Sequence, residues 1–286
     1  MNIVIIGLGN IGGSFAEAIR EGGGGHNVYA IDVDEEALSL AEKEQLIKKG
    51  FTDPKDIIPE ADLIIFAVYP RVIVDIIDQY YSLFRDNAII TDVTGVKRKI
   101  IAEIEEKLPP EVDFIFGHPM AGRENRGLKY ASSEVFKGAN YLITPTERNK
   151  KENIEFLKGF IKGLGFRNIS EISPEFHDEV IGFTSQLAHV IAISLINSDD
   201  ADRNTKKYTG DSYRDLTRIT NINEKLWPEL FIMNKDFLQK HIDDFTFQLE
   251  KLSRAIKDED IATMEEMMTE SRRRYHDLHD LEMPDQ

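Results

Sequence analysis

The chain has no cysteine among its 286 residues. Disulfides, thiol nucleophiles and cysteine–zinc centres are therefore excluded, and no metal site is expected. The absence fits a reducing interior, so a cytoplasmic location is expected. Basic residues are scarce, 35 against 51 acidic ones, which leaves a formal net charge of −16. A balance this acidic argues against nucleic acid or an anionic membrane as a partner. It also means that an anionic ligand needs a local basic pocket set against an unfavourable global field. No apolar run approaches the ~18 residues of a membrane span. Met1-Asn2 runs straight into Ile3-Val4-Ile5-Ile6, with no basic segment before and no small-residue cleavage site after, so no signal peptide is expected. Internal repeats and low-complexity tracts are missing too. What remains is 41% hydrophobic and 30% charged, the composition of an ordinary globular protein with room for one large or two modest cores.

The first half alternates strand and helix patterns, which points to an α/β sheet with crossovers. Strands are expected at 3–7, 28–32, 63–68, 88–92, 114–117, 141–144 and 167–170. The run LIIFAV suits a central strand buried on both faces. Helices are expected at 12–21, 35–44, 72–83, 97–107 and 151–164. Residues 117–138 break this rhythm, and long loops inside compact domains are usually functional or disordered. With its His-Pro and several glycines, this one reads as functional. From Pro174 onward the strand alternation stops: a helix is expected over 175–197, then a polar stretch to about Tyr213, then long helices. The fold class is therefore an α/β, Rossmann-type doubly wound domain over 1–172 followed by an all-α domain over 173–286. Leu238, Ile242, Phe245, Leu249, Leu252 and Ile256 follow a 4-3-4-3-4 spacing, which puts one apolar stripe along a helix. Such a stripe needs a partner, within the domain or in a second subunit.

Gly7-Leu8-Gly9-Asn10-Ile11-Gly12 follows an apolar strand and opens a helix. In that context G-x-G-x-x-G is a dinucleotide-binding signature. Gly7 permits the tight turn, Gly9 lets the backbone approach a pyrophosphate, and Gly12 allows close helix–strand packing. Val68, at the end of the LIIFAV strand, joins these six as a nucleotide-contacting position. Asp32 ends the second strand 20 residues after Gly12, where an acidic side chain accepts hydrogen bonds from the adenosine ribose. It would also repel a 2′-phosphate, and no arginine stands nearby to offset that. The cofactor is therefore read as NAD rather than NADP. A helix N-cap is the alternative use of Asp32, which Asp34 could serve equally well.

His118 follows the strand at 114–117, at the strand edge where open α/β sheets bind ligands. A histidine beside a nicotinamide is suited to take a hydroxyl proton as hydride leaves the same carbon. The segment Gly117-His118-Pro119-Met120-Ala121-Gly122-Arg123-Glu124-Asn125-Arg126-Gly127 resembles the G-x-H-P-[MI]-A-G-x-E-x-x-G signature of the prephenate and arogenate dehydrogenases. Three further segments agree with that family, in family order. Asp92-Val93-Thr94-Gly95-Val96-Lys97 resembles its D-x-x-S-V-K turn. Glu175-Phe176-His177-Asp178 followed by Ser185-Gln186-Leu187-Ala188-His189 resembles its E-x-H-D…S-H-L-P-H helix. Tyr213-Arg214-Asp215-Leu216-Thr217-Arg218-Ile219, with Leu226-Trp227 after it, resembles its F-R-D-x-T-R-I…M-W segment.

The resemblance implies an NAD-dependent oxidative decarboxylation. Hydride leaves C4 of a cyclohexadienol, C1 loses carbon dioxide, and the ring becomes aromatic. Prephenate would give 4-hydroxyphenylpyruvate in tyrosine biosynthesis, and arogenate would give tyrosine. His118 matches the histidine that takes the C4 hydroxyl proton. Arg218 matches an arginine that binds a substrate carboxylate, with an ion pair to Asp215 as its structural alternative. His189 matches a second substrate-contacting histidine, or else a core histidine among Val190, Ile191 and Ile193. Glu124 matches an acidic residue at the pocket mouth. Lys97 and Arg214 are read either as pocket cations or as partners of Asp92 and Asp215. The resemblance also implies a homodimer formed through the helical half. The chain ends directly after that half, so the form without an ACT regulatory domain is expected.

Three positions depart from the pattern. The family serine of D-x-x-S-V-K is Gly95 here, so its contact to the histidine is lost unless Thr94 replaces it. Gln186 and Ala188 replace the His and Pro of S-H-L-P-H. Other dehydrogenases with this domain plan, of the β-hydroxyacid or imine reductase type, would use a helical-domain lysine or another proton donor. A non-enzymatic nucleotide sensor is suggested by Gly95 alone. The segments around His118 and Arg218 favour the first reading.

Overall fold

The apolar runs of the first half become strands buried on both faces of a twisted sheet. The computed structural model describes residues 1–122 and 125–279. In chain order its first elements are β1 (Asn2–Ile6), α1 (Asn10–Glu21), β2 (Asn27–Ile31), α2 (Glu35–Lys43), β3 (Lys49–Phe51), β4 (Leu63–Phe66), α3 (Pro70–Tyr80), β5 (Ile89–Asp92) and α4 (Arg98–Glu105). After these come β6 (Asp113–Met120), β7 (Asn140–Thr144), α5 (Lys151–Gly163) and β8 (Asn168–Glu171). The strands lie in the order β3-β2-β1-β4-β5-β6-β7-β8. All neighbours are parallel except β6 and β7.

Alternation along β1 sends Ile3 and Ile5 into one core layer and Val4 and Ile6 into the other, as the period of a strand requires. All four residues of β4 are fully buried, and each such side chain contributes roughly 1.5–3 kcal/mol of burial free energy. The sheet thus has two filled faces, which fixes the positions of the loops at its carboxyl edge.

Two features of the sheet differ from the sequence reading. β3 is an additional edge strand of three residues, too short to carry a periodic signal. β6 runs to Met120, so His118 lies within a strand rather than in the loop after one. The reason is a change of partner. β6 pairs with β5 as far as Ile115 and then continues from Phe116 against antiparallel β7, with His118 opposite Leu142. The antiparallel pairing carries His118 past the end of β5.

The helical region holds α6 (Pro174–Ile181), a π-helical turn at Gly182–Leu187, α7 (Ala188–Asn197), α8 (Asp211–Thr217), α9 (Leu226–Met233), α10 (Lys235–Lys257) and α11 (Ile261–Leu278). Ser173 caps α6 by accepting from the Phe176 N–H. The stretch Pro174–Asn197 is 24 residues long with a mean hydropathy of 1.5 over its 18-residue window, and so reaches the length and composition of a membrane span. The sequence reading expected no such segment. Its apolar residues are broken by His177 and Asp178, both buried in the hydrogen-bonded chain described below, and by the π turn. The chain divides into two compact units, Met1–Lys235 and Asp236–Gln286. The first contains the sheet together with α6 to α9. The second contains the rest of α10 and α11, and along α10 Phe245, Leu249 and Ile256 of the apolar stripe are exposed.

Candidate active site

The glycine-rich loop is shaped by contacts that leave no room for side chains. Gly7 has φ +94°, and a Cβ on it would lie 2.5 Å from Val68. A Cβ on Gly12 would lie 1.9 Å from the Gly7 carbonyl oxygen. At Gly9, by contrast, a Cβ would meet nothing within 4 Å, so the loop backbone faces open space. The first turn of α1 has no capping side chain and no acidic residue. Its N–H groups and its dipole therefore suit a phosphate. Asp32 accepts from the Leu8 N–H at 2.5 Å and from the Asp34 N–H at 2.9 Å. The cap of α2 is Asp34, which leaves Asp32 to brace the loop. These residues fit a dinucleotide.

A cleft of about 700 Å³ opens beside this loop. Gly9, Asn10, Ile11, Val68, Thr94, Gly95, His118, Ser185, His189 and Trp227 all line it. One concavity thus joins the nucleotide loop, the β6 histidine and the π turn of the helical region.

His118 is held by a chain of side chains. Its Nδ1 lies 3.0 Å from His177 Nε2, and His177 Nδ1 lies 2.8 Å from Asp178 Oδ1. A carboxylate accepts only, so His177 donates from Nδ1 and its Nε2 must accept. His118 therefore donates from Nδ1, and its Nε2 carries the lone pair. These tautomers follow from the network. Cε1 and Nε2 are the ring atoms beside Gly95, whose Cβ would lie 3.7 Å from each, and Gly95 lines the cleft. Burial, then the neighbouring His177 and Lys97, hold the His118 pKa well below its ordinary 6.5. Burial also lowers the pKa of His177, against the bond to Asp178 that raises it. Both rings are neutral at pH 7, and His118 presents a basic nitrogen to the cleft.

The far end of the chain is charge-balanced. Asp178 accepts from the backbone N–H groups of Lys97 (2.8 Å) and Arg98 (3.0 Å), capping α4 from outside. An anion at a helix N-terminus is stabilised by the unpaired N–H groups there. Lys97 itself is fully buried, and its Nζ sits 2.7 Å from the equally buried Asp92. Asp92 in turn accepts from the Gly117 N–H at 3.0 Å, one residue before His118. A Cβ on Gly117 would lie 2.2 Å from the Tyr141 hydroxyl, so this strand position has room only for glycine. Breaking the Lys97–Asp92 pair would leave a buried charge uncompensated, at a typical cost of about 3–5 kcal/mol.

The helical wall is positioned by the π turn, a local irregularity common at functional sites. His189 Nδ1 donates to the Ser185 carbonyl at 2.8 Å, so its Nε2 bears the lone pair. Its ring lies 3.7 Å, centroid to centroid, from that of Trp227. Gln186 is buried and joins α9 through Asn234 (2.9 Å) and the Leu230 carbonyl (3.3 Å). The departure at Gln186 is therefore a packing link and does not line the cleft.

Three residues expected at the substrate have other partners in the structure, and for Lys97 the alternative pairing with Asp92 is the one found. Lys97 is fully buried against Asp92 and is no pocket cation. Arg214 is exposed and bonds Asp211 at 2.5 Å, the first residue of its own helix, and the Thr209 carbonyl at 3.1 Å just before it, rather than Asp215. Thr94 lines the cleft, and its hydroxyl proton is directed to the Asp92 carboxylate. Arg218 is exposed, and its neighbour Ile219 lines the cleft. Glu124 lies outside the described residues. Sequence reasoning assigned no role to His177 or Asp178, although both stood in the quoted E-x-H-D segment. Tyr69, Arg126, Asn223 and Trp227, all lining the cleft, were likewise given none.

Two family profiles match the chain. One, described as "Prephenate dehydrogenase, nucleotide-binding domain", covers residues 15–170. The other, "Prephenate dehydrogenase, dimerization domain", covers residues 173–270. A prephenate dehydrogenase of Bacillus subtilis is 30% identical over 263 residues, spanning 90% of this chain and 71% of the relative. The crystal structure of prephenate dehydrogenase from Aquifex aeolicus, in complex with hydroxyphenyl propionate and NAD+, is similar with a TM-score of 0.87 at 28% identity. That match covers 96% of this chain and 98% of the other. The structure of Synechocystis arogenate dehydrogenase is similar with a TM-score of 0.80 at 25% identity, over 96% and 100% of the two chains.

Proposed function

Because the chain belongs to the prephenate dehydrogenase family, we propose that it is an NAD-dependent enzyme that converts prephenate to 4-hydroxyphenylpyruvate with loss of carbon dioxide. The observation that carries this reading is His118, tied through Nδ1 to His177 and lining the cleft that the glycine-rich loop borders. NAD+, bound along Gly7 to Gly12 with its ribose at Asp32 and Val68 beside it, would supply the hydride acceptor.

His118 takes the proton of the C4 hydroxyl as C4 gives up its hydride. The His118–His177–Asp178 chain fixes the ring and its tautomer, and stabilises the imidazolium that forms. Oxidation leaves a carbonyl at C4 conjugated through the ring to C1. The electron pair of the C1–carboxylate bond then enters the ring, carbon dioxide departs, and the oxygen regains a proton to give the phenol. His189 contacts the substrate from the helical wall. Arg218 binds a substrate carboxylate, an assignment supported by its matched segment and by Ile219 beside it. A guanidinium can grip a carboxylate through two parallel hydrogen bonds.

The reading extends to the domain plan. Residues 1–172 form the nucleotide domain, and 173–286 the helical substrate-binding and dimerisation domain of a cytoplasmic homodimer. The match to a dimerization domain and the exposed Phe245, Leu249 and Ile256 support this assembly. The experiment that tests the function follows NADH absorbance with NAD+ and prephenate, and then with arogenate. Turnover of prephenate above arogenate is expected. Turnover of arogenate alone would move the chain to the arogenate branch, and failure with both would reject the activity.

A further inference from the structure

Prephenate carries two carboxylates, and the protein carries a formal charge of −16. The substrate therefore needs cations at the cleft. Among the described residues lining the cleft, Arg126 is the single side chain with a formal positive charge. It stands on the loop after β6, and its Nη2 donates to the Ile222 carbonyl at 3.0 Å and to the Glu224 carboxylate. Ile222 and Asn223, which precede Glu224, also line the cleft. The pair thus joins two segments of the cleft lining that lie 98 residues apart in sequence. The Asn223 amide also donates to the Tyr69 hydroxyl at 2.6 Å, a second tie between segments of the lining.

We propose that Arg126 binds one of the two substrate carboxylates, the one on ring carbon C1 or the one ending its pyruvyl side chain, and that Glu224 occupies Arg126 in the substrate-free enzyme as an internal stand-in for that carboxylate. The proposal rests on the prephenate reading above and adds a cation to it that the family resemblance did not supply.

Three observations support the exchange. First, Glu224 offers the same chemical group as the substrate, on the same donor atoms. Second, both partners are solvent-accessible, with side chains 47% and 73% exposed, so Glu224 can turn into water when it is displaced. The guanidinium holds the Glu224 pKa at about 2, so the competing carboxylate is ionised throughout the working pH range. Third, C1 lies across the ring from C4. A ring with its C4 hydroxyl at His118 places the C1 carboxylate and the pyruvyl chain at its far side from that histidine, within the cleft that Arg126 also lines. An exposed ion pair contributes little to stability, so the exchange of one carboxylate for another has a small barrier in free energy.

The test measures KM for prephenate in the full-length enzyme and the Kd of NAD+ by fluorescence of Trp227, the one tryptophan of the chain and a cleft residue. Arg126→Ala should raise KM for prephenate by about 10-fold or more, the scale of a lost charge-assisted contact, with kcat changed less. Glu224→Gln should do the opposite and lower KM by roughly 2- to 5-fold, the scale of an exposed pair. Neither should move the Kd of NAD+. Unchanged KM in both variants would reduce the pair to a surface ion pair and overturn the proposal. A weakened NAD+ Kd in Arg126→Ala with KM for prephenate unchanged would overturn it in favour of the cofactor's pyrophosphate. Wild-type enzyme inactive on prephenate would overturn the reading beneath it, a result distinguishable from either.

Discussion

The two ends of the cleft are built by opposite means. The nucleotide end is made of backbone: a left-handed glycine, a glycine packed under a carbonyl and the uncapped N–H groups of α1. Its shape is set by what is missing, and Asp32 is the main side chain that braces it. The histidine end is made of side chains from β6 and α6, tied at 3.0 and 2.8 Å and closed by a carboxylate that caps α4. A backbone site is damaged by adding atoms. A side-chain chain is damaged by changing any one of its members, including members remote from the cleft.

The sharpest way to separate the two ends is to remove the base. His118→Asn should lower kcat by about 10²- to 10⁴-fold while the Kd of NAD+ stays put. Near-normal turnover with the fold intact would take His118 out of the chemistry. A smaller effect is expected one step back. Asp178→Asn keeps the shape but no longer fixes the His177 tautomer, and kcat should fall roughly 10- to 100-fold, as for outer partners of a reactive group. A change in NAD+ affinity as large as the change in kcat would show that the two ends are not independent. The mildest effect belongs to the nucleotide end. Asp32→Ser should narrow the preference for NAD+ over NADP+ by roughly 10-fold. Comparable kcat/KM with the two cofactors in the wild type would remove Asp32 as the discriminator.

The same contrast explains what could be read in the sequence. The nucleotide end is local. Gly7, Gly9 and Gly12 fall within six residues, and Asp32 follows at the end of the next strand, so spacing alone carries the meaning. Most strands and helices were legible for the same reason: their signals are periodic over four to twelve residues. β3, with three residues at the sheet edge, is too short for that. The extension of β6 depends on β7 arriving antiparallel, which no residue within 113–120 encodes. The His118–His177 contact joins residues 59 apart and the Arg126–Glu224 pair residues 98 apart. Both exist only once α6 and the loop before α9 have packed near β6. The family resemblance located His118 and the E-x-H-D segment separately, while their connection is a product of packing. Lys97 was ambiguous in sequence because a buried pair with Asp92 and a pocket cation use the same residues. Burial decides between them.

The central claim is that His118 is a neutral base held by His177 and Asp178, and the pH dependence of kcat/KM for prephenate tests it most directly. The His118 pKa is held well below 6.5, first by burial and then by His177 and Lys97. Protonation would abolish the basic Nε2, so activity must fall as pH drops through the lowered value and not before. Stability has the same sign, because the unfolded chain takes up the proton near 6.5 while the folded one resists it, so protonation favours unfolding as pH falls. With NAD+ saturating, kcat/KM should therefore stay flat from about pH 8 to below 6.5, and its acid limb should appear only well beneath that. An acid limb centred at 6.5 or higher would mean an ordinary, solvated histidine and would contradict the account.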